Sequence, residues 1–148
     1  MPTMIDLFAG CGGMTQGFVD AGFEPILAVE FNPHAAATYA ANFGIDHTIC
    51  GDIADVNEYS VPEVDLVIGG PPCQGFSNLG SKDINDPRNK LWREYVRIVN
   101  HAHPKVFVIE NVDRFLKSSE FSLLIKEVKP GGRLEGYELT YGTLNSAD

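Results

Sequence analysis

With 148 residues, 44% of them hydrophobic, the chain has the size and apolar content of one domain around a single core. No apolar stretch approaches membrane-spanning length, and Asp6 interrupts the only early apolar run, which argues against a signal peptide. The net charge of -9 has the wrong sign for a phosphate-binding surface, but it is unevenly spread: residues 1–81 hold ten acids and no Lys or Arg, residues 82–148 eleven bases and ten acids.

The first element predicted is a strand over 3–8, followed at once by the turn Ala9-Gly10-Cys11-Gly12-Gly13. Met14, Phe18 and Ala21 then recur at helical spacing, giving a helix over 13–21 that Gly22 stops. Strand, glycine turn and helix open a nucleotide-binding βαβ unit, with glycines where a backbone approaches a ligand closely. The spacing differs from the usual dinucleotide fingerprint, and a tight turn needs glycine in any case. A second strand over 25–30 ends in Glu30, an acid able to hold the two hydroxyls of a ribose, and Phe31 could stack on a base. An exposed strand-end acid is the alternative. A helix over 33–42 and a strand over 46–50 follow.

The run from Val64 to Ile68 reads as a buried strand, 64–69, and leads into Gly69-Gly70-Pro71-Pro72-Cys73-Gln74-Gly75-Phe76-Ser77. In an open α/β sheet chemistry occurs at strand carboxyl ends. A thiol held there by two prolines is well placed as a nucleophile, whereas a free cysteine is more often a small buried hydrophobe. Cys11 and Cys50 are read in that second way. With no paired cysteine spacing, and with His34, His47, His101 and His103 scattered, neither a disulfide framework nor a metal site is indicated.

Residues 74–87 are polar and lack apolar periodicity, as in a lid or a solvated loop. A helix over 87–102 carries Leu91, Tyr95, Ile98 and Ala102 on one face. Then come a strand over 104–110 ending in Glu110, a helix over 112–128, a break at Gly131-Gly132, and a sixth strand over 137–144 with partial alternation. Alternating helices and apolar strands imply an α/β fold: a mainly parallel sheet covered on both faces.

The ordered blocks Asp6-Leu7-Phe8-Ala9-Gly10-Cys11-Gly12-Gly13, Glu30, Gly51-Asp52-Ile53, Pro71-Pro72-Cys73-Gln74 and Glu110-Asn111-Val112 resemble those of the DNA (cytosine-5) methyltransferases. The resemblance covers essentially the whole chain. It implies the Rossmann-like fold of S-adenosylmethionine-dependent methyltransferases, incomplete at the carboxyl end, and S-adenosylmethionine as cofactor. Phe8, Gly10, Cys11, Gly12 and Gly13 would lie along the cofactor, with Glu30 on its ribose and Phe31 beside its adenine. Asp52 and Ile53 would meet the adenine edge, and Pro72 would line the pocket. Cys73 would attack carbon 6 of a cytosine flipped out of duplex DNA, and Glu110 would bond the pyrimidine ring nitrogen and amino group.

Gln74 and Ser77 are candidate DNA contacts. So are the bases Lys82, Arg88, Lys90, Arg93 and Arg97, for which a solvated helix face is the alternative. Family members continue with an arginine-bearing motif, a further strand and a target-recognition domain. Residues 1–148 are therefore expected to form a partial cofactor-binding and catalytic domain, completed by more chain or by a second polypeptide, without membrane or metal. The expected compartment is the cytoplasm, or the nucleus in a eukaryotic source. Two other functions are weighed: a tRNA cytosine-5 methyltransferase, and a regulatory module that binds cofactor without turnover.

Overall fold

The computed structural model describes residues 1–72 and 90–148. Five parallel strands form one sheet in the order β3-β2-β1-β4-β5: β1 (Thr3–Leu7), β2 (Glu24–Glu30), β3 (Thr48–Cys50), β4 (Leu66–Gly69) and β5 (Val106–Ile109). The first three strands step outward from β1 in one direction, and β4 then returns to its other side. The order therefore reverses between β1 and β4, and in open α/β sheets ligands bind outside the carboxyl ends of strands at such a point.

Alternation along β1 assigns its two faces. Met4 joins Leu66 and Ile68 under Met14 and Phe18 of α1 (Gly13–Asp20). On the same face, Ala28 meets Tyr39 and Phe43 of α2 (Pro33–Phe43). Ile5 and Leu7 point the other way, into the main core with Val67, Tyr95, Ile98 and Val99. That face is covered by α3 (Lys90–Ala102) and by α4 (Ser119–Val128), which adds Phe121 and Leu124. Helices thus lie on both faces, as the sequence predicts.

Local signals set the element ends. Asn32 caps α2 by accepting from the backbone N–H groups of His34 (2.9 Å) and Ala35 (3.2 Å), with Pro33 as the first helical residue. Gly69 lets β4 sit close to its neighbours, since a Cβ there would meet the Leu7 carbonyl at 2.6 Å and the Tyr95 ring at 2.8 Å.

Two expectations are corrected, and one strand is shorter than expected. The helix over 112–128 is broken: a 3-10 turn, Asp113–Lys117, precedes α4, because the Ser118 hydroxyl accepts from Phe121 N–H (3.1 Å) and starts a new helix there. Residues 137–144 form no strand. The sheet stops at β5, and the aromatics of this segment pack sideways instead: Tyr137 against Phe107 and Tyr141 against Phe121. The alternation that suggested a strand is that of side chains laid against β5 and α4. β3 covers only 48–50, because residues 45–47 form the turn out of α2. No helix among the described residues is long and apolar enough to cross a membrane.

Candidate active site

The carboxyl ends of β1 and β2 are tied together by one side chain. Glu30 Oε1 accepts from Gly10 N–H and Oε2 from Asn32 N–H, each at 2.9 Å. Each oxygen retains a second acceptor site, so the carboxylate is fixed and still able to take a ligand hydroxyl. The turn it holds is conformationally unusual. Phe8 has φ +61°, and Gly10 and Gly12 have φ +56° and +93°. A non-glycine residue held there costs about 1–3 kcal/mol, and such residues concentrate at functional sites.

The glycines of the turn divide the work. A Cβ on Gly10 or Gly13 would meet nothing within 4 Å, so both border open space. A Cβ on Gly12 would collide with the rings of Phe43 and Tyr39. Gly12 therefore serves the close packing of the turn on α2, not an open cradle. Cys11 and Cys50 are exposed, which corrects the expectation that they are buried. Each stands at or just past the carboxyl end of a strand, where the sheet opens.

Asp52 follows β3 and caps a 3-10 turn, Ile53–Asp55: its Oδ1 accepts from Ala54 N–H at 2.9 Å. Ile53 is 3% exposed and its side chain belongs to the main core, so the structure makes it a support of the turn and not an open contact surface. Phe31, by contrast, is 74% exposed beside Glu30. An anchored acid, an exposed aromatic ring and open glycine backbone fit the ribose, adenine and amino-acid parts of an adenosyl cofactor.

The second half of the site lies at the ends of β4 and β5. Their register pairs Gly69 with Ile109, and Glu110 N–H donates to the Gly69 carbonyl (3.0 Å). The Glu110 carboxylate consequently lies over Gly70, where a Cβ would meet its Oε2 at 3.1 Å. Asn111 Nδ2 donates to the Pro71 carbonyl (2.8 Å), fixing the path of the chain into exposed Pro72. Glu110 is exposed, and no hydrogen bond to its carboxylate is made among the described residues. Cys73, Gln74, Ser77, Lys82 and Arg88 lie outside the described residues.

Beneath the glycine turn is a network not anticipated from sequence. Asp6, 1% exposed, accepts from the Thr15 hydroxyl (2.5 Å), which also lies 3.1 Å from the Tyr39 hydroxyl. Burial pushes the Asp6 carboxyl up to about 7, the Thr15 bond opposes this and the nearby Glu30 charge adds to it. Burial likewise raises Tyr39 to about 12. The polar residue at a position flanked by apolar strand neighbours was the available signal. Among the expected DNA-facing bases, Lys90 is exposed at the start of α3. Arg97 is not free to bind DNA: it is turned inward and paired with Glu58 and Glu94, each at 2.6 Å.

Residues 2–148 match the family model of the C-5 cytosine-specific DNA methylases. The Type II methyltransferase M1.HphI of Haemophilus parahaemolyticus is 41% identical over 99% of this chain and 41% of its own length. M.XorII of Xanthomonas oryzae is 40% identical over 99% of this chain and 37% of its own. The chain thus spans about two fifths of these relatives. Among solved structures, the S. pombe Dnmt2 methyltransferase superposes with a TM-score of 0.69 at 26% identity, over 85% of this chain and 41% of that one. Its fold is that of the S-adenosylmethionine-dependent methyltransferases, and S-adenosylmethionine is the cofactor that family and fold imply. Sequence blocks, switch-point geometry and whole-chain similarity agree, and the chain belongs to the C-5 cytosine-specific DNA methylase family.

Proposed function

We propose that this chain is the cofactor-binding and catalytic part of an enzyme that methylates carbon 5 of cytosine in duplex DNA. The observation that carries the proposal is the meeting of Glu110 with the Gly70-Pro71-Pro72 segment, which Asn111 pins in place. Cys73 is bonded directly to Pro72, three residues along the chain from Gly70, over which the Glu110 carboxylate lies.

Carbon 5 of cytosine is a poor nucleophile because the ring is aromatic. The Cys73 thiolate adds to carbon 6, breaking the aromaticity and moving electron density to carbon 5. Glu110 meets the ring nitrogen and stabilises the charge that develops there. S-adenosylmethionine, when bound, would supply an electrophilic methyl group to carbon 5, its sulfonium–methyl bond breaking to leave S-adenosylhomocysteine. Loss of the carbon 5 proton and departure of the Cys73 sulfur then restore the aromatic ring. The base must first leave the duplex stack, at a cost of a few kcal/mol.

On the cofactor side, Glu30 holds the ribose hydroxyls, Asp52 accepts from the adenine amino group, and Phe8, Gly10, Cys11 and Gly13 border the rest. Lys90, with Arg88, Gln74 and Ser77, faces the DNA. The remaining phosphate-binding surface and the base readout come from further chain or a second polypeptide, consistent with the acidic balance of these residues.

The test is transfer of labelled methyl from S-adenosylmethionine to duplex DNA and, in parallel, to tRNA, by wild type and Cys73→Ser. Transfer to DNA that Cys73→Ser abolishes while retaining cofactor binding is the expected result. Preferential transfer to tRNA, or wild-type turnover by the serine variant, would overturn it.

A further inference from the structure

α3 begins one residue beyond the undescribed stretch and lies against the turn that follows β3. Arg97, in its second half, commits four of its five guanidinium N–H donors, three of them to residues 53–58 and one to α3 itself. Nη1 donates to the Val56 carbonyl (2.9 Å) and to the Glu58 carboxylate (2.6 Å). Nη2 donates to the Ile53 carbonyl (3.0 Å), and Nε to Glu94 (2.6 Å). Two carboxylates balance one cation, so this arginine offers little to a phosphate.

The carbonyls it grips belong to the turn that Asp52 caps. Within that turn Asp55 N–H donates to the Asp52 carbonyl (3.0 Å) and Val56 N–H to the Ile53 carbonyl (3.1 Å). The Ile53 side chain anchors the turn from the core side. Arg97 anchors it from α3, and with Oδ1 held by Ala54 the second Asp52 oxygen is left for a ligand. The planar fork sets two carbonyls three residues apart in sequence, which a lysine ammonium cannot reproduce.

We infer that Arg97 is a positioning residue of the cofactor site: by fixing residues 53–56 it aims the Asp52 carboxylate, and so makes the site select a 6-amino purine nucleoside over its 6-oxo counterpart. This rests on the reading of Asp52 as the acceptor of the adenine amino group. A carboxylate aimed at an amino group gains a charge-assisted hydrogen bond, and aimed at a carbonyl oxygen it is repelled. Selectivity therefore depends on direction, which a loosened turn loses.

The experiment is calorimetric titration of wild type, Arg97→Lys, Arg97→Met, Glu58→Gln and Asp52→Ala with S-adenosylhomocysteine and with its deaminated inosyl analogue. Wild type is expected to prefer the adenosyl ligand by about tenfold or more, the worth of one good hydrogen bond. Both Arg97 variants should bring that preference near unity chiefly by weakening the adenosyl ligand. Glu58→Gln, a milder change on a partly exposed turn, should fall between. Equal weakening of both ligands in the Arg97 and Glu58 variants would mean a structural role only and would overturn the inference. If Asp52→Ala abolishes the preference and the Arg97 variants keep it, the inference alone fails. If Asp52→Ala keeps it, or if wild type shows none or binds neither ligand, the reading of Asp52 fails and takes the inference with it.

Discussion

The two halves of the site are built differently. On the β1–β2–β3 side, the carboxylates already hold backbone donors: Glu30 has Gly10 and Asn32, and Asp52 has Ala54. Arg97 and Ile53 brace the turn behind Asp52 from either side. On the β4–β5 side, Glu110 is placed by backbone register and by its closeness to Gly70, yet its carboxylate has no partner among the described residues. The first half is thus pre-organised before any ligand binds. In the proposed reading, the second half presents a group whose interaction is reserved for a reacting base. Interactions made only as charge develops accelerate a reaction, whereas those already satisfied contribute binding.

That contrast can be broken by mutation. Glu110→Gln is expected to lower methyl transfer on the order of 10²–10³-fold, the loss typical of removing a donor to developing charge, while the affinity for S-adenosylhomocysteine stays within about twofold. Comparable losses in both would erase the distinction between the two sides.

Gly12→Ala tests whether the cofactor turn depends on its packing. It combines a left-handed backbone with a collision against Phe43 and Tyr39, so a loss of about 2–4 kcal/mol of stability is expected in chemical denaturation. Gly13→Ala, which borders open space at an ordinary backbone angle, should unfold close to wild type but bind cofactor less well. A stable Gly12→Ala protein would show that α2 can give way without harm to the turn.

The pH dependence of stability sharpens the same comparison. The buried Asp6 carboxyl titrates at about 7 in the folded protein, against 3.8 as its ordinary value. Between those values the folded state keeps a proton that the unfolded state has lost. Its contribution therefore falls as pH rises from about 4 to about 7, by roughly 2–4 kcal/mol in all. Asp6→Asn should flatten that slope and be relatively more stable at pH 8 than at pH 5. Denaturation curves of the two proteins that run parallel from pH 5 to 8 would remove Asp6 as the cause.

A smaller effect is expected for Glu30→Gln. The amide oxygen can still accept from Gly10, but the charge is lost, so cofactor affinity should fall by about tenfold, close to what one charge-assisted hydrogen bond contributes. At saturating cofactor, turnover should return to nearly the wild-type rate. Failure to recover it would place Glu30 in the chemical step.

Much of this was legible before the structure because its causes are local. Apolar runs marked β1, β2, β4 and β5 to within two residues, and the helix expected over 33–42 became α2. The ordered blocks identified Glu30, Asp52 and Glu110, and the fold brings all three to strand carboxyl ends. What was misread depends on partners distant in sequence. Arg97 reads as one more base of a cluster until the turn 41–44 residues earlier folds beside it. Tyr137 and Tyr141 read as strand residues until rings of β5 and α4 capture them. Cys11 and Cys50 read as core because small apolar residues usually are, but strand ends at an open site are exposed. Asp6 carried a visible signal, a lone acid inside an apolar strand, whose meaning depends on Thr15 and Tyr39 from two different helices.

The central claim, covalent catalysis by Cys73 beside Glu110, is tested most directly by trapping the protein on duplex DNA that contains 5-fluorocytosine. After methyl transfer the fluorine cannot leave carbon 5 as a proton does, so the sulfur–carbon 6 bond persists. The account predicts a cofactor-dependent protein–DNA adduct, mapped by mass spectrometry to Cys73 and absent in Cys73→Ser. Labelled methyl reaching ordinary DNA with no such adduct, or an adduct on Cys11 or Cys50, would contradict it.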